Sequence, residues 1–191
     1  MIALKPISVA LFLCLAFSVA VSSQERPPQS PSSSCREFVV KFYSWYLAND
    51  SKLTQHYAGD AALKYRPYLF SRAIVQALRK DEEAQDKAGS DLVSLDADPF
   101  AGPDGLAEGH VVEKVTVADG KCWAEVHAIW EGKEDKTPDV TPELALKNGS
   151  WLFVNFYFAS PTYPRASDLL STLKALREDE KKQKSEESAK P

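Results

Sequence analysis

Histidine, cysteine and methionine are scarce in this chain, at three, three and one residues. The histidines, His56, His110 and His127, stand far apart, with no pair one helical turn apart and none at a zinc-site spacing from a cysteine. That pattern offers no metal site and no metal cofactor. Glycine is sparse too, and neither Ser71, Ser94 nor Ser160 sits in a Gly-x-Ser-x-Gly context, so a serine hydrolase has no support. Neither charge sign dominates: 23 basic residues face 27 acidic ones, for a formal net charge of −4. Such a surface lacks the electrostatic footprint of a protein that binds nucleic acid or anionic lipid. A long apolar run is missing as well. The longest, residues 7–17, falls short of the roughly 18 to 20 residues that span a bilayer, so the mature chain is not expected to insert in a membrane.

What is present begins with an export pattern. Lys5 precedes that apolar stretch, and small residues follow over 18–23, allowing cleavage after Ala20 or Ser23. Residues 1–23 are therefore expected to be a signal peptide and the protein secreted or periplasmic. Residues 24–34, rich in proline and serine without a large apolar side chain, suit a flexible leader. Cys14 departs with the signal, leaving Cys35 and Cys122. In an oxidising compartment two thiols suggest one disulfide, with a buried thiol at Cys122 as the alternative.

The remaining chain reads as a single domain over residues 35–176 and a charged, disordered tail over 177–191. Ser34 and Glu37 form a capping-box pattern ahead of a helix over 34–50, whose apolar face carries Phe38, Phe42 and Trp45. A second short helix carries Leu53 and Tyr57, and a third covers about 71–87 before Gly89. Beyond a turn-rich loop over 98–105 the period changes to two. Strands over 111–117 and 121–130 are joined through Ala118-Asp119-Gly120, and a second hairpin turns at Asn148-Gly149. A last helix carries Leu169, Leu170, Leu173 and Leu176. Helices followed by an antiparallel meander describe an α+β domain.

The aromatic first helix (Phe42-Tyr43-x-Trp45-Tyr46), the loop motif Asp98-Pro99-Phe100 and the hairpin through Trp151 resemble the bacterial family called domain of unknown function 3828. The resemblance covers roughly residues 37–176. It implies a nuclear transport factor 2-like cone, in which N-terminal helices pack on a curved antiparallel sheet, with a C-terminal helix added. It carries over no catalytic residues.

Candidate binding residues come from the helical half. Tyr43, Tyr46, Tyr57, Tyr65 and Tyr68 bring hydroxyl-tipped rings close in sequence, which suits the wall of a ligand pocket, although ordinary core and boundary packing is the preferred reading. Asp98 and His127 are added as polar groups near such a pocket. His127 shares a strand face with Glu125 and Trp123, so an envelope enzyme using His127 with Glu125 or Asp98 is one alternative. A polar outer sheet face is the preferred reading of the same residues. Asp96, Asp98 and Asp104 lack the spacing of a calcium loop, and Asp98 is better suited to bonding loop amides while Phe100 plugs the core. The expectation is an exported, noncatalytic binding or accessory module, for a small molecule or a partner protein in the cell envelope. An inhibitor or immunity-type protein is the other alternative.

Overall fold

The computed structural model describes residues 30–53, 59–89, 91, 93–102, 105, 107–158 and 168–188. The expected signal peptide, His56 and the candidate Tyr57 lie outside these residues. Among the described residues, four α-helices and five strands form an α+β architecture: α1 (Pro31–Leu53), α2 (Asp60–Tyr65), α3 (Arg72–Ala88), β1 (Gly109–Ala118), β2 (Lys121–Trp130), β3 (Lys133–Glu134), β4 (Val140–Lys147), β5 (Ser150–Phe158) and α4 (Leu169–Ser188).

The first helix starts earlier than its sequence suggests. Ser30 Oγ accepts from the Ser33 amide at 3.2 Å and so caps the helix, which takes in residues 31–34 of the expected flexible leader. The anticipated capping box is replaced by two other contacts. Ser34 Oγ accepts from Trp151 Nε1 at 3.0 Å, and Glu37 pairs with Lys41 at 2.5 Å. In α3 Ser71 Oγ accepts from the Ile74 amide at 3.3 Å and caps the helix, and the expected Gly89 closes it with φ of 67°.

The sheet is antiparallel throughout, in the order β1-β2-β4-β5, with β3 paired to the end of β2. The β1–β2 and β4–β5 hairpins turn on two residues with positive φ, 50° and 73° at Asp119-Gly120 and 50° and 77° at Asn148-Gly149, as does the short β2–β3 hairpin at Glu131-Gly132 with 51° and 73°. These are the left-handed conformations that a two-residue turn matched to strand twist requires. The β1–β2 and β4–β5 hairpins each contain one β-bulge, between Val112 and Val115 in β1 and opposite the Glu143–Leu144 step in β5. Bulges bend and further twist the strand that carries them, which curves the sheet about the helices.

One face of that sheet and the helices enclose an aromatic core. Phe42 lies at its centre, its ring 4.8 Å from Phe153, 5.7 Å from Phe70 and 5.8 Å from Phe100. Phe100 in turn contacts Phe156 at 5.1 Å. All five rings are buried. Cys35 of α1 and Cys122 of β2 are joined by a disulfide, with Cα atoms 6.6 Å apart. The bridge ties the first helix directly to the sheet.

The last helix extends beyond the expected end of the domain at Leu176 and runs to Ser188. Leu169 and Leu173 are buried against the core. One turn on, Arg177 pairs with the buried Asp81 of α3 at 3.2 Å and donates to the Val93 carbonyl. The start of the charged segment thus docks on α3 and on the loop at Val93. Among the described residues, no helix is long and apolar enough to cross a membrane.

Candidate functional site

The tyrosines considered as pocket walls separate into two groups. Tyr43 and Tyr46, on the inward face of α1, are fully buried, whereas Tyr65 is 49% exposed. Both buried rings spend their hydroxyls on the Asp98-Pro99-Phe100 loop. Tyr46 donates to Asp98 Oδ2 at 2.7 Å, and Tyr43 donates to the Phe100 carbonyl at 2.7 Å. Asp98 Oδ1 accepts from the amides of Phe100 and Ala101, each at 2.8 Å. The carboxylate therefore nucleates the loop while Phe100 enters the core. Burial, reinforced by the charges of Asp98 and Asp139, pushes the Tyr43 phenol well above its usual range, so it remains a donor. Tyr43, Tyr46 and Asp98 do converge, but around a filled interior.

His110 stands beside this group, its ring 4.9 Å from that of Tyr43. Neither ring nitrogen has a hydrogen-bond partner among the described residues. Burial lowers its pKa to about 4, so the imidazole is neutral at physiological pH.

The outer face of the sheet holds a different arrangement. His127 on β2 lies on this outer face and is only 3% exposed. Its Nδ1 lies 2.8 Å from the Asp135 carbonyl. Glu125, two residues away, is engaged by Lys114 at 3.1 Å, and Asp98 accepts from Tyr46 in its own loop. Glu113 on β1 approaches the imidazole, with Oε2 3.6 Å from His127 Nε2. Glu134 on β3 completes a trio whose ligand-type atoms lie within 4.8 Å of one another.

The bulge brings Glu113 there. Val112 pairs with Val126 and Val115 with Ala124, so Glu113 and Lys114 together stand opposite Glu125. Two residues against one turn both side chains to the outer face. Glu113 and Glu134 were not among the residues singled out from sequence. The only sequence signal available was His127 itself on a strand with polar neighbours.

A third feature is an open cleft of about 460 Å³ between α1, the 3-10 turn Pro67–Leu69 and the β4–β5 hairpin. Phe38, Leu69, Trp151 and Tyr68 contribute its apolar walls, and Glu37 and Lys41 its charged rim. Tyr68 is 67% exposed there.

No protein-family model and no curated protein sequence matches the chain, so membership in the family of domain of unknown function 3828 gains no support from either comparison. Among solved structures, a Campylobacter jejuni protein described as an NTF2-like transpeptidase aligns with 13% identity over 66% of this chain and 98% of that one, with a TM-score of 0.25.

Proposed function

We propose that this chain is an exported, noncatalytic binding or accessory domain that holds a small amphipathic molecule in the cleft between α1 and the β4–β5 hairpin. The observation that carries this reading is the contrast between a filled aromatic interior and that cleft. The core rings leave the space between helices and sheet occupied by protein. The cleft has a volume within the range of about 300–1,000 Å³ typical of small-molecule sites. It also offers exposed aromatic surface beside a pair of opposite charges that compensate one another. A ligand with an aromatic or aliphatic body and an uncharged polar tip matches this lining.

Export is part of the same proposal. It is supported by the signal-like residues 1–23 and by the Cys35–Cys122 bridge, a type of bond that persists chiefly in oxidising compartments. The cone-type architecture of nuclear transport factor 2-like proteins also belongs to this reading, supported by helices covering one face of a bulged antiparallel sheet. A partner protein of the cell envelope, bound in the manner of an inhibitor or immunity protein, is a second reading. The exposure of Tyr68 favours it, because tyrosine is enriched at protein interfaces.

The test is a ligand-observed NMR screen of neutral aromatic fragments against the full chain, followed through the indole resonance of Trp151. Fragments that shift this resonance and bind about tenfold more weakly to Tyr68→Ala would support the small-molecule reading. A screen without such fragments would overturn it.

A further inference from the structure

We propose that Glu113, His127 and Glu134 form a binding site for a divalent first-row transition ion of the zinc class, on the sheet face opposite the helices. The three side chains come from three adjacent strands, β1, β2 and β3, and their ligand atoms lie within 4.8 Å of one another. This site is independent of the cleft and of the aromatic core.

The imidazole provides the strongest argument. A carbonyl oxygen can only accept a hydrogen bond, so the 2.8 Å contact with Asp135 places the proton of the neutral ring on Nδ1. The Nε2 lone pair then points toward Glu113. That nitrogen is buried and has no hydrogen-bond partner among the described residues. A lone pair facing a carboxylate oxygen at 3.6 Å is an unfavourable arrangement unless something positive stands between them. A metal ion supplies that charge. Metal-ligating histidines typically donate their other ring N–H to a carbonyl or carboxylate, which orients the ring and raises the basicity of the ligating nitrogen. His127 already has this support.

The geometry fits a small ion. Zinc binds imidazole nitrogen at about 2.0–2.1 Å and carboxylate oxygen at about 2.0–2.2 Å. Ligand atoms on a tetrahedron of that size are separated by a little over 3 Å, slightly less than the present Nε2–Oε2 distance. Glu113 and Glu134 are both exposed, so their side chains can close the remaining gap by rotation without disturbing the core. The buried histidine is the fixed ligand and the two glutamates are adjustable ones. One nitrogen with two carboxylates also suits a borderline ion better than the all-oxygen shells preferred by calcium and magnesium. Three protein ligands leave a fourth position for water or an incoming donor.

The competing arrangement is a protonated His127 paired with Glu113, with no metal. Zinc titration of the chelator-stripped full chain, in competition with a chromophoric chelator, separates the two. The expected result is one zinc per chain, accompanied by a shift of the His127 Nε2 resonance and none at His110. Glu113→Gln and Glu134→Gln should each weaken zinc binding by at least about tenfold, the lower end of what loss of even a supporting contact typically costs. Because both glutamates are exposed, neither variant should change the urea midpoint of the zinc-free protein. Absence of stoichiometric zinc binding would overturn the proposal. So would binding that is indifferent to both glutamate substitutions, or an Nε2 that stays protonated when zinc is added.

Discussion

Tyr46 donates its phenolic hydrogen bond to Asp98 Oδ2 at 2.7 Å, with both groups out of contact with water. The bond joins the first helix to the loop that delivers Phe100 to the core. Tyr46→Phe keeps the ring contacts with Phe42 and Phe100 but leaves one carboxylate oxygen short of its donor. It should destabilise by about 1.5–3 kcal/mol, the usual worth of a hydrogen bond to a charged group. Tyr46→Ala removes the ring as well and should cost about 3–5 kcal/mol. Urea unfolding of the two variants checks the order. Equal losses would mean that the hydroxyl contributes nothing.

Arg177 provides a second test, because it lies one residue beyond the expected domain end. A chain ending at Leu176 leaves Asp81 buried with its amide bond from Leu95 but without its cationic partner. Burial already pushes the Asp81 carboxyl above its usual range, opposed by the Leu95 amide and by Arg177. Removing one partner of a fully buried pair costs about 3–5 kcal/mol, and partial exposure of this pair reduces that to roughly 2–3 kcal/mol. A chain ending at Lys181 retains Arg177 and Glu180 and should be nearly as stable as the full protein. Asp81→Asn should restore part of the loss in the shorter chain. Thermal unfolding of the three truncated proteins measures each effect.

His110 implies acid sensitivity. Its folded-state pKa of about 4 lies below the unfolded value of about 6.5. The unfolded chain therefore binds the proton first as pH falls. Stability associated with this residue is intact above about pH 6.5 and declines progressively toward pH 4, by roughly 2–3 kcal/mol. His110→Asn should flatten this part of the stability–pH curve relative to the parent protein. Unchanged slopes between pH 6.5 and 4 would contradict the assigned burial effect.

The Cys35–Cys122 bridge spans a sequence separation of 87 residues. On the chain-entropy account, closing a loop of that size restricts the unfolded state by about 4.6 kcal/mol. Replacing both cysteines with serine should lower the unfolding free energy by a comparable amount, and thiol titration of denatured, unreduced protein should find neither cysteine free. A double variant as stable as the parent would show that the bridge adds nothing to the fold.

Local chemistry was legible in the sequence wherever a residue dictates its own backbone or satisfies its own neighbours. Asp119-Gly120 and Asn148-Gly149 tolerate positive φ, so both hairpin turns could be placed in advance. Ser71 and Gly89 bound α3 for similarly local reasons. Asp98 could be assigned to its own loop amides because an aspartate accepts from residues two and three positions on. The start of α1 was misplaced because two serines compete as caps, and Ser34 is drawn instead to Trp151, which is distant in sequence.

Long-range register decided the rest. In an unbroken hairpin through Asp119-Gly120, Glu113 would stand opposite Val126 and face the core. The extra residue between Val112 and Val115 shifts the pairing and turns Glu113 outward to His127. Side chains alternate strictly along a strand, so a single inserted residue exchanges the faces, and no local propensity in β1 announces it. Whether Tyr43 and Tyr46 line a hollow or fill a core was likewise undetermined by helical periodicity, which identifies an inward face without specifying what meets it. Phe70, Phe100, Phe153 and Phe156 arrive from three separate segments to fill that space. The sequence by itself determined turns, caps and faces because those are properties of a few adjacent residues. The tertiary structure alone decided which faces meet, because close packing and strand register depend on the whole set of partners at once.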